Sequence, residues 1–334
     1  MFKNAVDDST LRRIINDFQK RARENFRKVA VLMGGESEER EISLKSGKAV
    51  SEALKKKGYN VTELIFPSSS LSSSSDFISE ISKVDAVFVA LHGKLGEDGT
   101  VQGLFEFTKI NYTSPDSVVS SFFMDKAMTK LIQYLNHPKS FVVNKFDEID
   151  FVFDKIKEFS FPVVVKPSFS GSSFGISVVS KIEDIKSALD KAFEYSSRAI
   201  IEDFLDGPEI TVAVFQRKAL GVMEILPKED VIFSFDAKYR GSTEYIIPPR
   251  SVPEEACEYA LYISQKICDD FLVDGAVRVD FKMKQGKVFF LELNTIPGMT
   301  ERSLLPKIAK WRGIEFDDLV EAILGTASVK IHRR

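Results

Sequence analysis

Apolar runs alternate with amphipathic stretches along the first third of the chain, and the runs at 28–35 and 84–93 end at glycine. The runs at 28–35, 60–66 and 84–93 predict strands, and the stretch at 43–59 has helical period. Strands that alternate with helices are typical of a parallel sheet covered by helices. The pattern therefore predicts a small parallel α/β unit that extends to about residue 115.

An amphipathic helix is predicted over residues 7–24, before the first strand. Its apolar positions follow the i, i+3, i+4, i+7 spacing of one helix face behind the capping-type residues Asp8 and Ser9; these positions are Leu11, Ile14, Ile15 and Phe18. We favour a helix that docks on its own domain over an arm that binds a partner.

The rest of the chain predicts two further units. A serine tract at 67–76 is typical of a surface loop. The second unit starts with a helix at 122–135 and continues as strand, loop and strand at 161–179. The third begins near 199–215, contains a strand pair at 275–294, and ends in helices near 303–325.

Length and composition limit the classes of protein. The 334 residues are 44% hydrophobic and 28% charged, which is typical of a globular protein of two to three domains. A formal charge of −3 argues against nucleic acid as a partner. The sequence has no apolar run of membrane-spanning length and no signal-peptide pattern, so we expect no membrane association and a cytoplasmic location. Cys257 and Cys268 fall on one predicted helix and are expected to be buried and reduced.

The strand at 288–294 ends in polar chemistry, because Glu292 and Asn294 share one face of it. A three-residue turn in the preceding hairpin would pair Asp280 with Glu292, whereas a two-residue turn would put the two carboxylates on opposite faces. With the longer turn, three oxygen donors form a site for a hard cation such as magnesium. The alternative is a surface ion network with Arg278, which lies on the face of Asp280.

A candidate phosphate loop follows Lys166 at the end of a strand. Small residues let backbone N–H groups approach phosphate oxygens while the lysine supplies a positive charge. The loop lacks the order of the Walker motif and could equally be a tight turn between two strands. The small residues are Ser170, Gly171, Ser172, Ser173 and Gly175.

Three other positions are candidates for ligand contacts. Glu202 follows an apolar strand in a stretch that fits either a nucleotide-binding connection or a plain linker. Glu39 lies at the start of a helix, where an acid compensates the helix dipole or holds a substrate ammonium group. His92 lies at a strand end, where ligand sites of open α/β sheets occur.

Eight motifs, in order, resemble the D-alanine–D-alanine ligases of the ATP-grasp superfamily over residues 28–325. They are "VLMGGESEEREISL", "ALHGKLGEDGTVQG", "MDK", "VVVKPSFSGSSFG", "GPEITVAV", "FDAKY", "RVDF" and "LELNTIPGMT…SLLP". The resemblance implies an α/β (α+β) ATP-grasp fold in which an N-terminal extension (1–25) precedes an α/β substrate-binding domain (26–118), a central lid domain (119–203) and a C-terminal mixed-sheet catalytic domain (204–334).

The resemblance also implies the chemistry, which is ATP-dependent joining of two D-alanine molecules through a D-alanyl phosphate for peptidoglycan precursor synthesis. It implies two Mg²⁺ or Mn²⁺ ions on Asp280, Glu292 and Asn294. Catalytic positions would be Glu39, Ser172, Tyr239, Arg278 and Gly298. D-alanine would contact Glu39, His92, Lys238, Ser303 and Leu304. ATP would contact Lys126, Lys166, Ser172, Ser173, Glu202, Phe204, Leu205, Glu209 and Lys238.

Alternatives to this function remain open. Tyr239 favours D-alanine as second substrate, because relatives that use D-lactate usually have phenylalanine there. A ligase for D-lactate or D-serine is the alternative enzyme, and a nucleotide-binding regulatory protein is the non-catalytic one. The family also implies a homodimer through the first domain. The helix before residue 26 has no counterpart in a typical member.

Overall fold

The computed structural model describes residues 2–67, 73–171, 174–226 and 243–330. Its first sheet has four parallel strands in the order β2-β1-β3-β4, which confirms the predicted parallel α/β unit. The strands are β1 (Lys28–Gly34), β2 (Asn60–Phe66), β3 (Ala86–Val89) and β4 (Asn111–Tyr112). Helices α2 (Arg40–Lys56), α3 (Ser74–Ile81) and α4 (Thr100–Thr108) belong to this part of the chain.

Helix α3 begins inside the serine tract, so the prediction of a loop over all of 67–76 was wrong. The Ser73 hydroxyl accepts a hydrogen bond from the backbone N–H of Asp76 and caps the helix. Serine competes with the backbone inside a helix but stabilises its start. Residues 68–72 of the tract lie outside the described ranges.

The second sheet is antiparallel, in the order β5-β8-β6-β7. Its strands are β5 (Ser140–Asn144), β6 (Val163–Pro167), β7 (Ser177–Val179) and β8 (Arg198–Asp203). Helices α7 (Ile149–Ile156) and α8 (Ile185–Phe193) bury apolar side chains against it, and a short 3-10 turn, Ile182–Asp184, precedes α8.

The helix predicted at 122–135 is broken at Asp125, which corrects that prediction. Helix α5 (Ser117–Met124) stops there and the single turn α6 (Lys126–Thr129) restarts. The Asp125 carboxylate accepts from the Ala127 N–H and from the Ser168 hydroxyl, and the Lys126 N–H donates to the Ser168 carbonyl at 2.8 Å. The break therefore holds Lys126 beside the end of β6.

The third sheet is antiparallel, in the order β11-β10-β9-β12-β13. Its strands are β9 (Glu209–Phe215), β10 (Lys218–Leu226), β11 (Glu244–Ile246), β12 (Ala276–Lys284) and β13 (Lys287–Asn294). Helix α9 (Glu254–Asp270) packs on one face of it, and α10 (Leu304–Trp311) and α11 (Phe316–Leu324) follow in the chain. Cys257 and Cys268 are free and buried in α9, as predicted.

The β12–β13 hairpin turns in two residues, and yet Asp280 pairs with Glu292. Gln285 and Gly286 have φ of 49° and 78°, as a tight hairpin turn requires, and Lys284 pairs with Lys287. Phe281 pairs with Phe290, so Leu291 is an extra residue that forms a bulge. The bulge compensates for the shorter turn, and both sequence alternatives were incomplete because neither included it.

Helix α1 (Asp8–Asn25) packs against α11 near the other end of the chain. Its cap is Asp7, whose carboxylate accepts from the Thr10 N–H, rather than the predicted Asp8 or Ser9. Arg23 binds the buried Glu321 through two hydrogen bonds of 2.7 and 2.6 Å. The helix docks on its own chain, as expected.

In the described ranges, no helix combines the length and apolarity needed to cross a membrane.

Candidate active site

The main candidate site is a cavity of about 840 Å³ between the second and third sheets. Apolar side chains and charged groups line it together, which is typical of a site for a polar organic ligand. Its predicted lining residues are Lys126, Lys166, Ser170, Gly171, Glu202, Phe204, Leu205, Glu209, Asp280 and Glu292, and its other lining residues include Phe174, Asp203, Lys282 and Leu291.

Lys126 joins the loop after β6 to the end of β13. Its ammonium group donates to the Ser170 carbonyl at 2.6 Å and lies 3.2 Å from a carboxylate oxygen of Glu292. The side chain is mostly buried, so little water screens this ion pair. Because the helix is interrupted at Asp125, Lys126 begins a new helical turn and its side chain reaches into the cavity.

Glu202 is buried at the end of β8 and contacts two lysines. One oxygen accepts from Lys166 and the other from Lys130, the latter at 2.7 Å. Burial alone would raise the pKa of Glu202, but the positive charges of Lys166 and Lys130 outweigh it and lower the pKa to about 2. Glu202 is therefore an anion at neutral pH.

Asp280 is held in a fixed orientation by neighbours on two strands. The Arg278 guanidinium donates to both carboxylate oxygens at 2.8 Å, and the Thr211 hydroxyl donates to one of them at 2.6 Å. Thr211 lies opposite Asp280 in the β9–β12 register. These contacts leave further lone pairs on the carboxylate for a ligand.

A second, smaller cavity of about 380 Å³ adjoins the first. Its lining includes Glu39 and Asn294, which do not line the larger cavity. Lys126, Ser170, Gly171 and Glu292 line both. The two cavities therefore meet at the loop after β6 and at the end of β13, where Glu292 lies.

Glycine at position 171 allows the loop to approach Glu39. A Cβ atom at Gly171 would lie 2.7 Å from a carboxylate oxygen of Glu39, closer than real Cβ contacts. Glu39 is buried at the N-terminus of α2. The sequence pattern placed these two residues in separate motifs, and the fold brings them together.

His92 lies between the first sheet and the segment after β13. Its two ring nitrogens lie 3.0 Å from the Ile296 carbonyl and 3.1 Å from the Ser46 hydroxyl, which also accepts from the Met299 N–H. Burial would lower the pKa of His92, but the nearby Glu97 and Glu39 carboxylates outweigh it and raise the pKa. This network fixes the segment that contains Gly298.

Gly298 lies beside Ser303 at the start of α10. A Cβ atom at Gly298 would come within 3.0 Å of the Ser303 hydroxyl, which itself accepts from the Thr300 N–H at 3.1 Å. The next residue, Leu304, is buried. None of these three predicted residues lines the larger cavity.

Four predicted site residues lie outside the described ranges: Ser172, Ser173, Lys238 and Tyr239. Sequence reasoning missed Leu291, which lines the large cavity, and also Lys130 and Thr211, which lie outside the lining and bind its carboxylates Glu202 and Asp280. Thr211 had a usable signal, because a polar residue inside an apolar strand needs a polar partner. Lys130 had none, since its contact with Glu202 joins chain segments 72 residues apart.

Comparison with known proteins gives one family. The model "D-ala D-ala ligase C-terminus" matches residues 138–325, and "D-ala D-ala ligase N-terminus" matches residues 67–115. A D-alanine–D-alanine ligase of Aquifex aeolicus is 42% identical over 310 residues, which cover 89% of this chain and 99% of that protein. One of Geotalea uraniireducens is 40% identical over 313 residues, covering 91% of this chain and 97% of that protein.

Solved structures give the same result. D-alanine–D-alanine ligase of Bacillus anthracis, complexed with ATP, superposes with a TM-score of 0.77 at 30% identity, covering 90% of this chain and 97% of the other. The VanG D-Ala:D-Ser ligase of Enterococcus faecalis superposes with a TM-score of 0.76 at 29% identity, covering 90% and 99%. The fold is therefore the predicted α/β ATP-grasp fold.

Proposed function

The chain belongs to the D-alanine–D-alanine ligase family, and on that premise we propose that it joins two D-alanine molecules to D-alanyl-D-alanine with ATP. The carboxylate of the first D-alanine attacks the γ-phosphate and forms an acylphosphate and ADP. The amine of the second attacks the acyl carbon, and phosphate leaves. The product would serve peptidoglycan precursor synthesis.

The observation that carries this proposal is the common wall of the two cavities. Lys126, Ser170, Gly171 and Glu292 line both the large cavity and the small one that contains Glu39. A nucleotide in the large cavity would direct its terminal phosphate toward an amino acid in the small one. Catalysis of phosphoryl transfer consists mainly of such positioning and of charge neutralisation.

We assign nucleotide contacts to residues of the large cavity. Lys126 and Lys166 would neutralise phosphate oxygens, and Ser172, Ser173 and Lys238 would complete that site. The adenine and ribose would lie against the remaining residues of the set. These are Glu202, Phe204, Leu205 and Glu209, which line the cavity at the end of β8 and the start of β9.

The donor set at the end of β13 fits a hard divalent cation. Asp280 and Glu292 pair across the hairpin, and Asn294 adds an amide oxygen. Among the described residues no three His, Cys, Asp or Glu side chains gather into a metal-binding group, so a cation here depends on the amide and on ligand oxygens. Two Mg²⁺ or Mn²⁺ ions held by these residues would neutralise phosphate charge.

We assign substrate contacts to the small cavity and the adjoining segment. Glu39 would bind the ammonium group of the first D-alanine, with His92 beside it, and Ser172 and Tyr239 would connect Glu39 to the loop above. Arg278 and the Gly298 N–H would stabilise the oxyanion that develops on the reacting carbonyl. The carboxylate of the second D-alanine would lie near Lys238, Ser303 and Leu304.

Four parts of the proposal rest on family membership and resemblance alone. They are a homodimer through the first domain, a cytoplasmic location, the number of metal ions, and the division into an extension (1–25) and domains at 26–118, 119–203 and 204–334. Sedimentation of the purified chain tests the dimer.

The decisive experiment is detection of the dipeptide by mass spectrometry after incubation with ATP, Mg²⁺ and D-alanine. Phosphate release is then compared for D-alanine, D-serine and D-lactate as second substrate. D-alanyl-D-alanine as the main product supports the proposal. A main product with D-serine or D-lactate would replace it with the alternative ligase, and ATP binding without product would indicate a regulatory protein.

A further inference from the structure

Lys130, Glu202 and Lys166 form a buried group of three charges at the end of β8. The exposed fractions of their side chains are 16%, 5% and 7%. Each lysine binds a different oxygen of the same carboxylate. One anion is therefore shared by two cations, and the group has a net charge of +1.

Among the described residues, carboxylates outnumber ammonium groups in the lining of the large cavity. Five carboxylates and three ammonium groups belong to its lining. Two of the three lysines are within 4.0 Å of a lining carboxylate other than Glu202: Lys126 near Glu292 at 3.2 Å, and Lys282 near Glu209 at 3.9 Å. Lys166 would likewise be neutralised if Glu202 had no other partner.

Lys130 does not line the cavity, and it contacts the carboxylate that Lys166 also binds. We propose that Lys130 is a positioning residue for the nucleotide: by neutralising Glu202, it leaves the charge of Lys166 available to a phosphate of ATP. This inference rests on the proposed function, because it takes the cavity ligand to be ATP.

The physical basis is the low effective dielectric constant around these buried side chains. Lysine and glutamate in direct contact and shielded from water attract each other far more strongly than at the surface. A Lys166–Glu202 pair alone would be a closed, neutral unit with little attraction for phosphate. The second lysine restores the net positive charge, and it also fixes the carboxylate so that one oxygen faces Lys166.

The test compares ATP with adenosine, which has the same base and ribose but no charge. Calorimetric affinities for both are measured in the presence of Mg²⁺ for the full-length chain and for Lys130→Met, Lys130→Arg, Glu202→Gln and the double variant Lys130→Met/Glu202→Gln. Lys157→Met is the matched control, since Lys157 is exposed and pairs with the nearby surface residue Asp154.

The expected results follow the net charge of the group. Lys130→Met lowers the ratio of ATP to adenosine affinity about tenfold, since one unit charge is removed close to the phosphates. Lys130→Arg and Lys157→Met leave the ratio within about twofold of the wild type. Glu202→Gln raises the ratio, and the double variant returns it to the wild-type value because its net charge is again +1.

Two results would overturn this inference but not the proposed function. One is an unchanged ratio of ATP to adenosine affinity in Lys130→Met. The other is an equal loss of ATP and adenosine affinity, which indicates a structural role. If Lys130→Met does not fold, Glu202→Gln and the double variant decide the question, because Glu202→Gln should raise the ratio and the double variant should return it to the wild-type value. A wild-type chain that binds no ATP would overturn the proposed function itself.

Discussion

Asp280 and Glu292 face each other across a hairpin whose turn, by its length, would separate them. The turn contains only Gln285 and Gly286, and the bulge at Leu291 restores the pairing. Beyond the bulge Arg278 pairs with Asn294, so the register of the whole donor set requires that Leu291 be bulged out of the pairing. The bulge also directs Leu291, in addition to Glu292, toward the large cavity.

Deletion of Leu291 should leave the proposed metal site functional. Without the bulge, the two-residue turn pairs Asp280 directly with Glu292, and the apolar alternation of β13 continues. Insertion of one alanine after Leu291 should instead move Glu292 out of register and raise the Mg²⁺ concentration for half-maximal phosphate release more than tenfold. A Mg²⁺ titration of both variants checks this; equal behaviour of the two would contradict it.

Arg278→Ala should abolish turnover while ATP affinity stays within a few-fold. Arg278 lies outside the lining of the large cavity, and loss of one oxyanion donor typically lowers kcat by about 10²–10³. Single-turnover kinetics together with ATP binding measure the two effects. A large loss of ATP affinity would show that Arg278 acts on the nucleotide rather than on the transition state.

Thr211→Val should weaken metal binding without changing kcat at saturating Mg²⁺. The isosteric change removes the 2.6 Å hydrogen bond to Asp280. Loss of a hydrogen bond that orients a metal ligand typically lowers metal affinity about tenfold or more. The control is Thr326→Val, which removes a buried hydroxyl donor to the Ile323 carbonyl in a different region. Identical Mg²⁺ curves for the two variants would exclude the assigned role.

His137 should make the protein less stable as the pH falls below neutrality. Burial and the nearby Lys130 lower the pKa of His137 from 6.5 to about 4. Between these values the unfolded chain binds more protons, so the contribution is complete above pH 6.5 and is lost as the pH falls toward 4.

Urea unfolding of wild type and His137→Gln at pH 7 and 5 measures this contribution. The pH dependence should be smaller in the variant, because glutamine does not titrate. His92→Gln is an informative control, since the pKa of His92 is raised and its contribution has the opposite sign. An equal pH dependence in wild type and His137→Gln would contradict the prediction.

Arg23→Met should destabilise the protein by about 1–2 kcal/mol, because it removes two hydrogen bonds to a buried carboxylate. The loss is limited since Tyr59 and Lys57, at 3.1 and 3.8 Å, still contact Glu321. Chemical unfolding measures it, with Lys20→Met as control because Lys20 forms an exposed ion pair with Glu24. An unchanged free energy of unfolding would show that these two partners suffice.

The sequence predicts the elements better than the contacts between them. Period and glycine positions located β1 and β2, because hydrophobic spacing is a local property. The bulge at Leu291 and the break at Asp125 were missed because each depends on partners in another segment. For the same reason, motifs indicated Lys166 and Glu202 individually, but only the fold brings Lys130 to them.

The docking of α1 has a consequence for synthesis of the protein. Arg23 leaves the ribosome before its partner Glu321, which follows 298 residues later. Until then, the apolar face of α1, with Leu11 and Ile15, lacks its final cover. At a synthesis rate of roughly 5–20 residues per second, this interval lasts tens of seconds. During it the nascent chain exposes an apolar surface that a chaperone can bind.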